Sequence, residues 1–227
     1  MAFTGLFAVR PLTSRAEGDT VYDVWIQNSA DRAFDSSVMP DYPETQIRLY
    51  AARNEYEAAQ VLVRGTTELT GLHLEAGALT GETGEIGADH ISVFREYSVS
   101  AAVPGEVEPT PDGSDSYTDA LLPNEVITQK AGVTQPYWVR IYVPEGQAPG
   151  LYEGTIKVIA DQGEQRVSVS VLVYDVTIPS TDESEFKMLN WFGSAGCDFG
   201  ALESSVPSQY NVKMYDENWW RVMESFA

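Results

Sequence analysis

The stretch RVSVSVLV, residues 166–173, alternates between two kinds of side chain with a period of two. Every odd-numbered position carries valine, and the even-numbered positions carry Arg, Ser, Ser and Leu. Successive side chains of a β-strand point to opposite faces, so the valines would line a core while the other face meets mostly solvent. The pattern predicts a half-buried strand in a sheet that has a covered face.

Two more strands are predicted directly before it, at residues 137–143 and 152–160. The segment PEGQAPG between them, residues 144–150, contains prolines, which end strand pairing, and glycines, which permit unusual backbone angles. A tighter turn at DQG, residues 161–163, leads into the valine strand. We therefore expect three consecutive antiparallel strands.

Five earlier segments also have the composition of strands, bounded by Gly, Asp, Ser and Pro. They are residues 21–26, 46–50, 57–64, 72–75 and 91–99. The alanines and glutamates of AARNEYEAAQ, residues 51–60, favour a helix locally, but we interpret this segment as a strand, a tight turn at Asn54 and a second strand, because its neighbours are β-rich.

Eight short strands without a convincing helix indicate a mainly β fold, and we predict an immunoglobulin-like antiparallel β-sandwich over residues 1–179. Residues 104–123 are expected to form one long loop within it.

The pattern changes after the sandwich. Residues 180–185 are polar and follow a proline, as expected of a linker, and FKMLNWF, residues 186–192, is predicted to be a strand. Asp216 can cap a following helix, because apolar residues recur there at helical spacing on one face. These residues are Trp219, Val222, Met223 and Phe226. We interpret residues 186–227 as the first strand, loop and helix of a truncated (β/α)8 barrel, an incomplete TIM-barrel catalytic domain.

The charge of the chain argues against two classes of partner. Its 34 acidic and 14 basic residues give a formal net charge of -20, which would repel nucleic acid and anionic membranes. No apolar run is long enough for a spanning helix, and no secretory signal is evident in the first residues, MAFTGLFAVRP. A secreted or periplasmic location and a cytoplasmic one both stay open, since the single cysteine permits no internal disulfide.

Several ordered motifs together resemble the N-terminal region of bacterial glycoside hydrolase family 123. They are IRLYAARNEYEAAQVLVR at 47–64, YTDALLP at 117–123, QPYWVRIYVPEGQAPGLYEGTIKV at 135–158 and VLVYDVTIP at 171–179, followed by a strand with Trp191. The resemblance implies that the sandwich precedes a (β/α)8 barrel that releases terminal N-acetylgalactosamine from glycoconjugates. It also implies a substrate-assisted mechanism in which an adjacent Asp-Glu pair of the barrel acts on the acetamido group.

Two Asp-Glu pairs occur here, but neither suits that role. Asp182-Glu183 lies in the predicted linker and Asp216-Glu217 at the predicted helix start, whereas barrel chemistry takes place at the carboxyl ends of strands. We therefore assign no catalytic residue to this sequence. Trp191, near the end of the first barrel strand, is the candidate for substrate binding, because an indole can stack on a sugar ring, although core packing is the commoner role of such a tryptophan.

No metal site or cofactor is predicted. Asp112, Asp115 and Asp119 could offer oxygen ligands to calcium, but their spacing lacks the glycine and final glutamate of a calcium loop, which favours a solvated or interdomain loop. His73 and His90 lie apart without a neighbouring Cys or second His.

The aromatic residues of the strand at 137–143 are interpreted as core and face residues in preference to a carbohydrate platform. They are Tyr137, Trp138 and Tyr142.

Two functions follow. In the first, the chain is the accessory sandwich of a glycoside hydrolase, with its carbohydrate substrate bound by the missing barrel and an intramolecular contact between sandwich and barrel. In the second, the sandwich is an autonomous carbohydrate-binding or adhesion module.

Overall fold

The structure is a computed structural model, and it describes residues 22–100, 116–180 and 183. Twelve strands occur in this part of the chain. They are β1 (Tyr22–Asn28), β2 (Gln46–Arg53), β3 (Glu55–Gly65), β4 (Leu69–Ala76), β5 (Leu79–Gly81), β6 (Gly84–Ile86), β7 (Ile91–Ser100), β8 (Ser116–Pro123), β9 (Ile127–Gln129), β10 (Thr134–Val143), β11 (Gly150–Ala160) and β12 (Gly163–Thr177). A single 3-10 turn at Ala88–His90 is the helical element of these residues, and no helix among them is long and apolar enough to cross a membrane.

The strands form two sheets. The first has the order β1-β3-β10-β7-β8, and the second has the order β2-β12-β11-β4-β9, with β5 paired to β11 and β6 paired to β5. Side chains from both sheets form one apolar cluster, in which Val61 and Val139 of the first sheet join Val158 and Val169 of the second. The sheets therefore pack face to face as a β-sandwich around a shared core.

Strand β12 confirms the alternation read from its sequence. The valines at its odd-numbered positions from 167 to 173 are all buried, and residues 168 and 170 between them are exposed or half-buried. The interpretation of residues 51–60 is also confirmed, because β2 ends at Arg53 and β3 begins at Glu55. Asn54 joins the two strands with φ 59, a left-handed conformation that asparagine tolerates better than most residues.

Three expectations about strand pairing are wrong. The strand at 137–143 belongs to β10 and does not pair with β11, because the connection at 144–149 crosses from one sheet to the other. The sandwich is not wholly antiparallel, since β12 pairs with β2 in parallel. The predicted loop at 104–123 contains β8, which pairs with β7 from Ser100↔Ser116 to Phe94↔Pro123.

Other expectations are not tested by this structure. The linker at 180–185 is described only at Ser180 and Glu183, and the barrel strand and helix at 186–227 lie outside the described residues. The immunoglobulin-like topology stays a prediction.

Candidate functional site

The site residues singled out in the sequence are spread over the chain. Trp191, Asp216 and Glu217 lie outside the described residues. Glu183 is exposed and turns back on Ser180, whose hydroxyl donates to the Glu183 carboxylate at 3.1 Å, while the Glu183 N–H donates to the Ser180 carbonyl at 3.1 Å. The Glu183 carboxylate therefore lies in an exposed local turn.

The residues considered for metal binding do not come together in the described part. Asp119 is exposed on β8, while Asp112 and Asp115 lie outside the described residues. His73 is hydrogen-bonded to the Gly71 carbonyl at 2.8 Å through Nδ1. Among the described residues no group of three or more His, Cys, Asp or Glu side chains could hold a metal ion.

The three aromatic residues of β10 have different environments. Tyr137 is fully buried in the core, Trp138 is half-buried on the opposite face of the strand, and Tyr142 is half-buried nearer its end. The Tyr142 hydroxyl donates to Oδ1 of Asn54 at 2.7 Å. Their interpretation as core and face residues therefore holds for Tyr137 and Tyr142, whereas Trp138 lines a cavity.

This cavity, the Glu96 cavity, lies on the outer face of the first sheet and has a volume of about 320 Å³. Its walls come from β3, β7, β8 and β10 and from the loop that follows β1. The lining residues are Ser29, Ala30, Asp31, Arg32, Ala33, Gln60, Glu96, Thr118, Asp119, Leu121 and Trp138.

Buried polar side chains fix the loop over the sheet. The Gln60 side-chain amide donates to the carbonyl oxygens of Asn28 and Asp31, at 2.7 and 2.6 Å. The Thr118 hydroxyl donates to the Ala33 carbonyl. A small apolar cluster of Trp25, Leu62 and Ala33 lies beside these contacts. Because the loop is fastened on both sides, the cavity between it and the sheet is preformed.

Glu96 is the buried carboxyl of this cavity. The residue is 8% exposed, and its Oε1 atom has no hydrogen-bond partner among the described residues. Burial disfavours the charged form and raises the pKa of the Glu96 carboxyl to about 7. A carboxyl with a raised pKa that faces a cavity is typical of functional sites. No sequence pattern predicts this burial, because alternation places Phe94, Glu96 and Ser98 on the solvent face of a strand.

A second concavity, of about 390 Å³, lies on the other sheet and differs in character. Its charged lining residues are Glu75, Glu153 and Lys157, and no aromatic side chain occurs among the described residues that line it. Glu75 is half-exposed and lies 3.7 Å from Lys157 Nζ. Its carboxylate is thus solvated and paired, in contrast to that of Glu96.

An exposed apolar surface, the exit patch, lies on the outer face of the second sheet. It consists of Tyr50, Leu151, Leu172 and Tyr174. Leu172 is the register partner of both Tyr50 and Leu151, and the rings of Tyr50 and Tyr174 stack with centroids 6.4 Å apart. Tyr50 is 57% exposed and Tyr174 is 48% exposed. The patch lies near the end of β12, where the chain leaves the sheet.

The family model described as "Glycoside hydrolase 123 N-terminal domain" matches residues 28–160. No curated protein matches the chain.

Among solved structures the chain is similar to a family 123 glycoside hydrolase from Clostridium perfringens, studied for glycolipid glycan hydrolysis. The identity is 15% and the TM-score is 0.61, over 70% of this chain and 28% of that chain. This likeness indicates a shared fold, and this chain corresponds to less than a third of that enzyme's length.

Two other structures are more distant. The CooA pilin subunit from enterotoxigenic Escherichia coli has 12% identity and a TM-score of 0.36, over 69% of this chain and 99% of that chain. A β-glucosidase from Listeria innocua has 11% identity and a TM-score of 0.29, over 71% of this chain and 17% of that chain. Both TM-scores are too low to support a conclusion.

Proposed function

Because this chain belongs to the family of glycoside hydrolase 123 N-terminal domains, we propose that it supplies the accessory β-sandwich of a glycoside hydrolase. The observation that carries the proposal is the family match over residues 28–160, which spans most of the sandwich. The fold shared with a family 123 enzyme supports it.

The proposal extends to substrate and mechanism. The enzyme acts on glycans that contain N-acetylhexosamine and releases N-acetylgalactosamine, with Trp191 as a sugar-stacking residue. Catalysis belongs to a (β/α)8 barrel that begins at residue 186, and its Asp-Glu pair lies outside this sequence. The motif resemblance between residues 47 and 179 supports this choice of substrate.

In this proposal the sandwich contacts the barrel through the exit patch and stabilises it. Two tyrosines and Leu151 are exposed here around the half-buried Leu172, and such an apolar surface is unfavourable in water and suits contact with another domain. The chain that leaves β12 is held close to it, because the Ile178 N–H donates to the Arg53 carbonyl at 2.9 Å. The proposed occupant of the patch is therefore the barrel that follows the sandwich in the sequence.

The proposed activity can be tested with two expression products, the 227-residue chain and a longer protein. For each of them, hydrolysis of a chromogenic N-acetylgalactosaminide is measured. We expect the 227-residue chain to be inactive and a longer product with a complete barrel to release the sugar. Activity of the 227-residue chain, or a longer product that cleaves only other glycosides, would contradict the proposal.

Substitution of the patch tests the bracing role. In the longer product, Tyr50→Ser with Tyr174→Ser should lower the melting temperature of the barrel and leave the sandwich folded. Tyr42→Ser is the matched control, because Tyr42 is 96% exposed and lies outside the patch. Equal melting of the patch variant and the control would exclude this contact.

A further inference from the structure

The accessory role leaves one feature of the Glu96 cavity unexplained. Its loop wall is held in place by the buried side chains of Gln60 and Thr118. The Gln60 amide and the Thr118 hydroxyl are therefore already engaged in hydrogen bonds that fix the loop. Glu96 is the third buried polar residue of the lining, and its Oε1 atom has no hydrogen-bond partner among the described residues. A buried carboxyl left in this state costs free energy of folding, and a cation held in the cavity that Glu96 lines would lower this cost.

The charges around Glu96 are mainly negative. Asp31 from the loop and Asp119 from β8 also line the cavity. Arg32 is the one cation among the described lining residues, and its guanidinium lies 5.5 Å from the centroid of the Tyr117 ring. No salt bridge joins Arg32 to Glu96 among the described residues. The described lining thus has three carboxyl groups and one guanidinium, and it favours a cation.

A second cationic side chain on the outer face of the first sheet is already in contact with aromatic rings. Arg140 of β10 lies between two rings, with its guanidinium 4.9 Å from the centroid of Tyr56 and 5.1 Å from that of Phe94. It therefore does not serve as the ion-pair partner of Glu96. Gln60 of β3 and Trp138 of β10, which also line the cavity, are neutral.

The lining also restricts the kind of cation. A metal ion is disfavoured, because no group of three or more metal-binding side chains occurs in the described residues. An organic ammonium needs fewer ligands, and its N–H groups donate to a carboxylate in charge-assisted hydrogen bonds. The indole of Trp138 provides the aromatic surface that attracts such a cation. A volume of about 320 Å³ lies at the small end of ligand sites and suits one small molecule.

We propose that the Glu96 cavity binds a primary ammonium group of a small molecule, with the Glu96 carboxylate as its ion-pair partner and Trp138 beside it. The ammonium can be carried by an alkyl chain or by an amino sugar. The proposal is independent of the proposed glycosidase activity, since it concerns binding by the sandwich and requires no hydrolysis.

Titration of the 227-residue chain with n-butylammonium chloride, followed by NMR chemical shifts, tests the site, and n-butanol is the neutral probe of similar shape. We expect n-butylammonium to bind at least about tenfold more tightly than n-butanol at pH 8, because the ammonium alone forms charge-assisted hydrogen bonds with the carboxylate. Affinity should rise about tenfold from pH 6 to pH 8 as Glu96 ionises, while an alkylammonium stays charged.

Two variants locate the binding. Glu96→Gln should weaken n-butylammonium binding at least about tenfold at pH 8 and remove its pH dependence. Glu75→Gln, in the concavity of the other sheet, should leave both unchanged. Equal affinity for n-butanol, tighter binding at pH 6, full binding by Glu96→Gln, or no binding by any ammonium probe would overturn the proposal.

Galactosamine and galactose at pH 7 separate the two sources of the ammonium. Binding of galactosamine without galactose supports an amino sugar, and binding of n-butylammonium without galactosamine supports an alkylammonium. Equal binding of galactosamine and galactose would overturn the proposal, because recognition would then rest on hydroxyl groups. The thermal melt of Glu96→Gln confirms that a loss of binding is not a loss of folding.

Discussion

Asn54 holds the end of the last strand of the sandwich: its side-chain amide donates to the carbonyl oxygen of Ile178 at 2.9 Å, across 124 positions of sequence. Its other side-chain atom, Oδ1, accepts the hydroxyl of Tyr142 at 2.7 Å. One asparagine therefore connects the tight turn between β2 and β3, strand β10 and the point where the chain leaves the sheet.

The Asn54→Gly substitution tests the side-chain hydrogen bonds without changing the backbone conformation. Glycine accepts the φ of 59 without strain, so the variant should lose only the side-chain bonds and about 1–2 kcal/mol of unfolding free energy. Asn54→Ala should lose about 1 kcal/mol more, because alanine is strained there. Urea unfolding measures both. Stability of Asn54→Gly equal to that of the parent would show that the bonds contribute nothing.

Glu96→Gln should change how stability depends on pH. The folded-state pKa of about 7 lies above the ordinary value of 4.5, so the native state holds its proton longer than the unfolded state. This group's favourable contribution is complete below pH 4.5 and is lost as the pH rises to 7, a change of about 3 kcal/mol.

Relative to the parent, Glu96→Gln should therefore gain up to about 3 kcal/mol of stability at pH 8 and little at pH 4.5. Urea unfolding at both pH values measures the gain, with Glu75→Gln as the exposed control. A gain that is larger at the lower pH would contradict the burial of an unpaired carboxyl.

Tyr137→Phe should stabilise the sandwich. The Tyr137 hydroxyl is buried without a hydrogen-bond partner among the described residues, and burial raises the pKa of this hydroxyl. Removing it should raise the unfolding free energy by about 1 kcal/mol.

Tyr22→Phe is the matched comparison. The Tyr22 hydroxyl donates to the carbonyl oxygens of Gly163 at 2.8 Å and Val158 at 3.1 Å, so its loss should cost about 1–2 kcal/mol. Thermal melts of both variants give the signs. Destabilisation by Tyr137→Phe as large as that by Tyr22→Phe would show that the Tyr137 hydroxyl has a partner.

Gly154→Ala should destabilise the second sheet. A Cβ atom at Gly154 would stand 2.6 Å from Leu79 Cδ2 and 2.7 Å from the Ala78 carbonyl oxygen, which β11 holds close. Relief of this overlap should cost about 1–3 kcal/mol. Gly146→Ala is the control, because a Cβ atom there meets nothing within 4 Å. Similar urea midpoints for the two variants would contradict the close approach of Gly154 to Leu79.

Local pattern was enough to predict eight of the twelve strands in the described residues, but not their partners. The valines of β12 and the turn at Asn54 were readable, because alternation and turn chemistry are properties of a few neighbouring residues. The segment at 144–149 signalled a reversal, yet a turn sequence does not say whether the returning strand joins the same sheet or the opposite one. Strand β8 was missed because its pairing with β7 spans a long insertion, and its own composition resembles a loop.

The Glu96 cavity could not be predicted from the sequence, for a related reason. Position 96 lies on the outer face of β7, which alternation assigns to solvent. Its burial comes from the loop after β1, which Gln60 and Thr118 fasten over the sheet. Such a covering depends on contacts between distant segments, so no window of neighbouring residues contains the signal.

The parallel pairing of β2 with β12 has a consequence for how the protein is made. Strand β2, at the edge of the described sheet, leaves the ribosome early, and its neighbour β12 is the last of the described strands to be synthesised. Because a contact so distant in sequence is slow to close, the second sheet should be completed only after β12 has emerged. Until then β2 can pair with other chains, so removal of β12 should yield an aggregation-prone product.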